Sequence, residues 1–121
     1  MFTLDTNILI YYAEGDQRVA SFMSENRDKT FYLPTIVAAE FLSHPSITPD
    51  DAKLFKLFLT QTMPIGLDIS VAERAAEIRR TYHLKLADAV IAATAILTRS
   101  TLVTRNIRDF RRIKSLTLIS P

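Results

Sequence analysis

Four carboxylates lie in apolar stretches that are far apart in this chain. Asp5 follows Phe2-Thr3-Leu4, and Glu40 sits within Ile36-Val37-Ala38-Ala39-Glu40-Phe41-Leu42. Asp88 interrupts Leu86-Ala87-Asp88-Ala89-Val90-Ile91-Ala92-Ala93, and Asp109 precedes Phe110. Acidic side chains are seldom buried unless they are paired or bound to a cation. Few bases lie near the first three. Acids gathered in an apolar setting point to a divalent metal ion, and a metal held by carboxylates points to phosphate chemistry. Each acid also has a plainer reading. Asp5 and Asp88 can cap helices, Glu40 can edge a solvated helix, and Asp109 can pair with Arg105 or Arg112 at one-turn spacing. All four plain readings must coincide to remove the cluster, so a shared site is expected.

The bulk of the sequence narrows the chemistry further. With 121 residues the chain suits one domain with a sizeable core, spanning 1–121. It has no Cys, which excludes a disulfide scaffold, a thiolate metal centre and a thiol nucleophile. Its only histidines, His44 and His83, are too few for a histidine-rich zinc site and read as structural or surface residues. Met1 leads straight into a strand-like run with no basic leader, and no apolar stretch reaches membrane-spanning length, so a cytoplasmic protein is expected. Net charge is only +2, but it is unevenly placed. From Arg99 onward six bases face the single acid Asp109, whereas residues 1–98 hold nine bases and twelve acids. A basic tail beside an acidic site suits a polyanion drawn in and held over metal; the alternative is a solvated basic face.

Elements that alternate in type must position the acids. Strands are expected at Met1–Leu4, Thr30–Leu33, Met63–Leu67, Thr101–Thr104 and Leu116–Ile119. Between them, helices are expected over Asn7–Glu14, Asp16 or Gln17 to Asn26, Thr35–Ser43 with Thr35 as cap, and from Thr48-Pro49-Asp50-Asp51 to about Thr62. Ser70-Val71-Ala72-Glu73 reads as a capping box for the next helix. Leu86–Leu97 is apolar on nearly every side and therefore central, and Ile107–Arg111 is a short helical turn. This alternation predicts an α/β fold with a short, mostly parallel sheet flanked by helices. Ligands of such sheets bind at the carboxyl ends of the strands, where Asp5, Asn106 and Asp109 fall. Glu40 and Asp88 lie on helices that can aim at the same edge. Leu- and Phe-rich Lys53–Thr60 and the Phe22–Met23 segment read either as core or as an apolar face covered by another protein.

In this order the residues resemble the PIN-domain nucleases, and among them the VapC-type toxins of toxin–antitoxin pairs. The resemblance rests on Leu4-Asp5-Thr6-Asn7, on Glu40 after Pro34-Thr35, on Leu86-Ala87-Asp88-Ala89-Val90-Ile91-Ala92-Ala93-Thr94-Ala95, and on Leu102-Val103-Thr104-Arg105-Asn106 followed by Asp109-Phe110. It covers nearly the whole chain. One departure is His83-Leu84-Lys85-Leu86, where the family often carries Gly and Pro. The resemblance implies Asp5, Glu40, Asp88 and Asp109 as catalytic and metal-binding acids, with Asn106 as an auxiliary ligand or substrate contact. Thr6 and Thr104 can support a carboxylate or a metal-bound water, or cap adjacent helices. Arg105, Arg108, Arg111 and Arg112 are candidate phosphate contacts.

The implied activity is an endoribonuclease using Mg²⁺ or Mn²⁺ ions, which polarise a phosphodiester for in-line attack by water without a protein nucleophile. The implied substrate is RNA, such as tRNA or another structured RNA, and the implied partners are a second copy of the chain and an antitoxin. Two rival readings remain. An Asp-based phosphatase would carry a second Asp where this chain has Asn7, and a receiver domain would want a Lys at the end of Thr101–Thr104. A PIN domain that only binds should have lost an acid, and this chain keeps all four.

Overall fold

Five short strands form a single sheet in the computed structural model, which describes residues 1–121. They are β1 (Phe2–Leu4), β2 (Phe31–Pro34), β3 (Met63–Ile65), β4 (Thr101–Val103) and β5 (Leu118–Ile119), in the order β3-β2-β1-β4-β5. Every pairing is parallel. The helices are α1 (Thr6–Ala13), α2 (Gln17–Glu25), α3 (Thr35–Ser43), α4 (Pro49–Leu59), α5 (Ile69–Tyr82), α6 (Leu86–Leu97) and α7 (Ile107–Phe110). The α/β class and the parallel sheet flanked by helices are as expected. No helix is long and apolar enough to cross a membrane.

The central strand is β1, and Thr3 and Leu4 in it are fully buried, as a parallel strand covered on both faces requires. Helix α6 packs against β1, β2, β4 and α3, with α5 along its other side. All residues from Ala89 to Ala95 are buried, which explains why its sequence carries no polar face. Phe2, Phe22 and Phe31 form one aromatic cluster that joins α2 to β1 and β2. Phe41 and Phe55 join α3 to α4.

Several local expectations are corrected. Helix α5 begins at Ile69 with Asp68 as its cap, whose carboxylate accepts from Val71 N at 2.9 Å. Ser70 lies inside the first turn and makes no capping box. Thr35 is the first helical residue rather than the cap, because Pro34 ends β2 and occupies the cap position without a side-chain bond. By contrast, Thr48 and Asp51 do form a reciprocal capping box at the start of α4. Met23 is buried and Phe22 belongs to the aromatic cluster, so that segment is core. On α4, Phe55 is buried, but Leu54 and Leu57 are 64% and 65% exposed. His83 caps α5 in the left-handed conformation, φ 58°, where glycine is the usual occupant.

Candidate active site

Strand order explains why one edge of the sheet gathers chemistry. The chain winds from β1 outward through β2 to β3, then returns to the other side of β1 with β4 and β5. The switch point therefore lies between β1 and β4, the place where open α/β sheets leave a crevice beyond the strand ends. Leu4 is in register with Val103, so Asp5 and Thr104 leave the sheet side by side. Asp5 N donates to Val103 O at 3.1 Å, and Thr104 Oγ1 donates to Asp5 Oδ2 at 2.7 Å. The other carboxylate oxygen accepts from Thr6 N at 2.8 Å, so Asp5 also caps α1. The cap and the site readings of Asp5 are both met by one side chain.

A cleft of about 430 Å³ opens beyond these strand ends. Asp5, Glu40 and Asp88 line it, together with Thr6, Asn7, Ile10, Ser43, His44, Pro45 and Asn106. The three acids differ in setting. Asp5 is buried, Asp88 is half-buried in the first turn of α6, and Glu40 is exposed on α3. The expectation of a uniformly apolar setting thus holds for Asp5 alone. Thr6 Oγ1 donates to Glu40 Oε1 at 2.6 Å and fixes that carboxylate at the cleft. No three acidic or histidine side chains stand close enough to enclose one ion directly.

Electrostatics show that the acids feel one another. Burial pushes the Asp5 carboxyl up to about 6, against the lowering effect of Thr104 and the Thr6 amide, and Asp88 and Glu40 push it further upward. Burial is also the main cause raising Asp88, with Glu40 and Asp109 adding repulsion and Lys85 opposing it. Asp109 therefore reaches the cluster through its charge on Asp88, while its neighbour Asn106 is the residue that lines the cleft. Asn106 Nδ2 donates to Asp109 Oδ2 at 3.1 Å, and Asn106 N donates to Thr104 Oγ1 at 2.9 Å. Thr104 thus links Asp5 to the loop that carries Asn106 and Asp109.

The four arginines separate into two kinds. Arg105 Nη1 and Nη2 donate to the two oxygens of Asp16, both at 2.8 Å, and Nε donates to Pro121 O at 3.2 Å. Its guanidinium carbon sits 4.4 Å from the centroid of the Tyr11 ring. Expected as a phosphate contact, Arg105 is committed to the protein itself, and neither it nor Arg112 pairs with Asp109. Arg112 donates to Tyr82 O at 2.7 Å. Arg108 and Arg111 are exposed and make no ion pair.

Sequence reasoning passed over three residues here. His44, read as structural or surface, lines the cleft. Lys85 is the base that acts on Asp88, and its position three residues before that acid was the available signal. Asn7, given no role at the site, lines the cleft with a buried Oδ1 that has no hydrogen-bond partner.

Comparison with known proteins agrees with this architecture. The PIN domain family model matches residues 2–116. A chain of a toxin–antitoxin complex from Klebsiella pneumoniae is similar at 29% identity, over 98% of this chain and 96% of that one, with a TM-score of 0.85. VapBC2 from Rickettsia felis, bound to a DNA fragment from its promoter, is similar at 25% identity, over 99% and 98% of the two chains, with a TM-score of 0.85. FitAcB from Neisseria gonorrhoeae is similar at 26% identity, over 98% and 96%, with a TM-score of 0.73. A comparison with curated proteins gave no match of comparable significance. Since the family model covers all five strands but the last and every residue lining the acidic cleft, the chain belongs to the PIN domain family.

Proposed function

We propose that this protein is a Mg²⁺- or Mn²⁺-dependent endoribonuclease and the toxin of a type II toxin–antitoxin pair, working in the cytoplasm. The observation that carries this reading is the acidic cleft at the switch point. Asp5, Glu40 and Asp88 converge there, burial and mutual repulsion raise Asp5 and Asp88, and no Lys or Arg lines the cleft. Such a cluster is relieved by a cation.

The donor set fits a hard divalent ion. All candidate ligands are oxygens, and the buried Asn7 Oδ1 is a further acceptor without a partner. No three acids stand close enough to enclose an ion, and Mg²⁺ characteristically keeps several waters and takes only one or two carboxylates directly. When bound, Mg²⁺ or Mn²⁺ supplies Lewis acidity at a phosphodiester oxygen and lowers the pKa of water for in-line attack.

The chain's own residues do the rest. Thr104 and the Thr6 amide hold Asp5 in its ionised orientation, and Thr6 Oγ1 aims Glu40. Asn106 orients Asp109, whose charge bears on Asp88. Arg108 and Arg111 offer free guanidinium groups to the phosphates of an RNA strand leaving the cleft. Leu54 and Leu57, which line a groove together with Leu9, Tyr12, Phe41 and Phe58, offer an apolar face to an antitoxin or a second copy of the chain. Similarity to chains solved within toxin–antitoxin complexes supports the antitoxin.

Incubation of the purified protein with unfractionated bacterial RNA and Mn²⁺ tests this proposal. Cleavage is expected with Mn²⁺, with none in EDTA and none from Asp88→Asn. Cleavage that survives EDTA, or equal cleavage by Asp88→Asn, contradicts it.

A further inference from the structure

We infer that His44 is a substrate-contacting residue of this cleft, donating its Nε2 hydrogen to a phosphate oxygen of bound RNA; this rests on the nuclease reading above. The backbone puts the ring there. Pro45 disfavours a helical conformation for the residue before it; α3 ends at Ser43 and His44 is extended, φ −68° and ψ 135°. The turn is closed by Ile47 N donating to His44 O at 3.1 Å. Four residues after Glu40, the half-buried His44 lines the same cleft as Asp5 and Asp88.

Hydrogen bonding distinguishes the two ring nitrogens. Ser46 N donates to His44 Nδ1 at 3.2 Å, so Nδ1 is an acceptor and carries no hydrogen. Ser46 Oγ lies 2.7 Å from the same nitrogen. The backbone bond to Nδ1 favours the tautomer with its hydrogen on Nε2, where no protein acceptor is engaged.

Few donors in the lining remain free. A phosphodiester entering a carboxylate-lined cleft needs donors from the protein as well as a cation. Most lining donors are already engaged: Thr6 Oγ1 with Glu40 Oε1, Ser43 Oγ with Glu40 O, and Asn106 Nδ2 with Asp109. The side-chain donors left are His44 Nε2, the Asn7 amide and the second hydrogen of Asn106 Nδ2, and of these only His44 lies on the α3 side of the cleft with Glu40.

The test is atom-specific. Gln places its amide nitrogen near the position of Nε2, whereas Asn reaches only as far as Nδ1. Initial rates on unfractionated bacterial RNA with Mn²⁺ would be measured against RNA concentration for wild type, His44→Ala, His44→Asn and His44→Gln. A hydrogen bond to a charged phosphate predicts an apparent KM raised about tenfold in the Ala and Asn variants, with kcat within about threefold. His44→Gln should stay within about threefold of wild type in KM, and all three should keep the wild-type thermal shift with Mn²⁺. A wild-type KM in His44→Ala, or a Gln variant as impaired as Asn, overturns the inference. In either case cleavage by wild type and its loss in Asp88→Asn would leave the nuclease reading standing. Absence of EDTA-sensitive cleavage by wild type would overturn both. Should His44→Ala melt below the assay temperature, the Gln and Asn pair decides.

Discussion

Asp5 and Asp16 start from the same position in local structure and end as opposites. Each caps a helix, Asp5 for α1 and Asp16 for α2, and each is held by the loop after β4 through adjacent residues, Thr104 and Arg105. Asp16 meets a bidentate guanidinium, and that bond holds its carboxyl down at about 2. Asp5 meets a neutral hydroxyl and two neighbouring acids in a buried place, and it is pushed up to about 6. The comparison shows one loop serving two purposes. Arg105 fastens the loop to the body of the protein, and Thr104 then carries that fixed position to an acid left without a countercharge. A carboxylate with its own cation is structure, and one without is a candidate ligand.

The largest effect expected from this contrast is on cleavage. Asp5→Asn and Asp88→Asn should each lower the rate by at least about a hundredfold, equivalent to about 2.7 kcal/mol in the barrier. Asp16→Asn should remain within about tenfold of wild type. Gel-based cleavage assays decide this, and retention of activity in Asp88→Asn within that same factor would break the contrast.

Stability should separate the two aspartates next, and with opposite signs. A folded-state value raised from 3.8 to about 6 means that ionised Asp5 disfavours the folded chain. This penalty is absent well below pH 3.8, grows between pH 3.8 and about 6, and levels off at about 3 kcal/mol by pH 7 without metal. Asp5→Asn removes it while weakening the bonds from Thr104 and Thr6, so a gain of about 1–2 kcal/mol is expected at pH 7. Urea melts in EDTA should show that gain vanish by pH 4; an equal gain at both values would refute the assignment. Asp16 behaves inversely. Its lowered value contributes stability above pH 3.8 that is lost as pH falls toward 2. Arg105→Ala should lower the melting temperature by a few degrees at neutral pH, with the difference from wild type closing in acid. The smallest effect is expected for Leu54→Ser with Leu57→Ser, which touches neither aspartate. Stability should change by within about 0.5 kcal/mol per site, as for exposed positions generally, whereas light scattering should show loss of any self-association through α4.

Much of this arrangement is legible in the chain before folding. The apolar run of α6 has one consistent place, the middle of the structure, and Asp5 at the end of a buried strand has one consistent edge. The identity of the carboxylate partners is not legible. Asp16 and Arg105 are 89 positions apart, and nothing local distinguishes Arg105 from Arg108 until β4 and α2 are brought together. Helix starts are ambiguous for a chemical reason, since Asp68 and Ser70 both offer an oxygen to the first turn and only backbone geometry chooses between them. Glu40 shows the limit of hydropathy, because an acid among apolar neighbours on a helix faces outward when the neighbours cover the other side. His44 was readable through Pro45, which ends the helix there, but the acceptor bond from Ser46 that favours one tautomer appears only in the folded turn.

The central claim is that the Asp5, Glu40 and Asp88 cleft is completed by a divalent cation, and thermal melts with and without Mn²⁺ test it most directly. Metal that binds only the folded state stabilises by mass action, about 2.7 kcal/mol at a hundredfold excess over its dissociation constant. Wild type should therefore melt higher in millimolar Mn²⁺ than in EDTA, Asp5→Asn and Asp88→Asn should lose most of that increment, and Asp16→Asn should keep it. If wild type gains nothing from Mn²⁺, or the Asp5 and Asp88 variants gain as much as wild type, the cleft does not hold the metal.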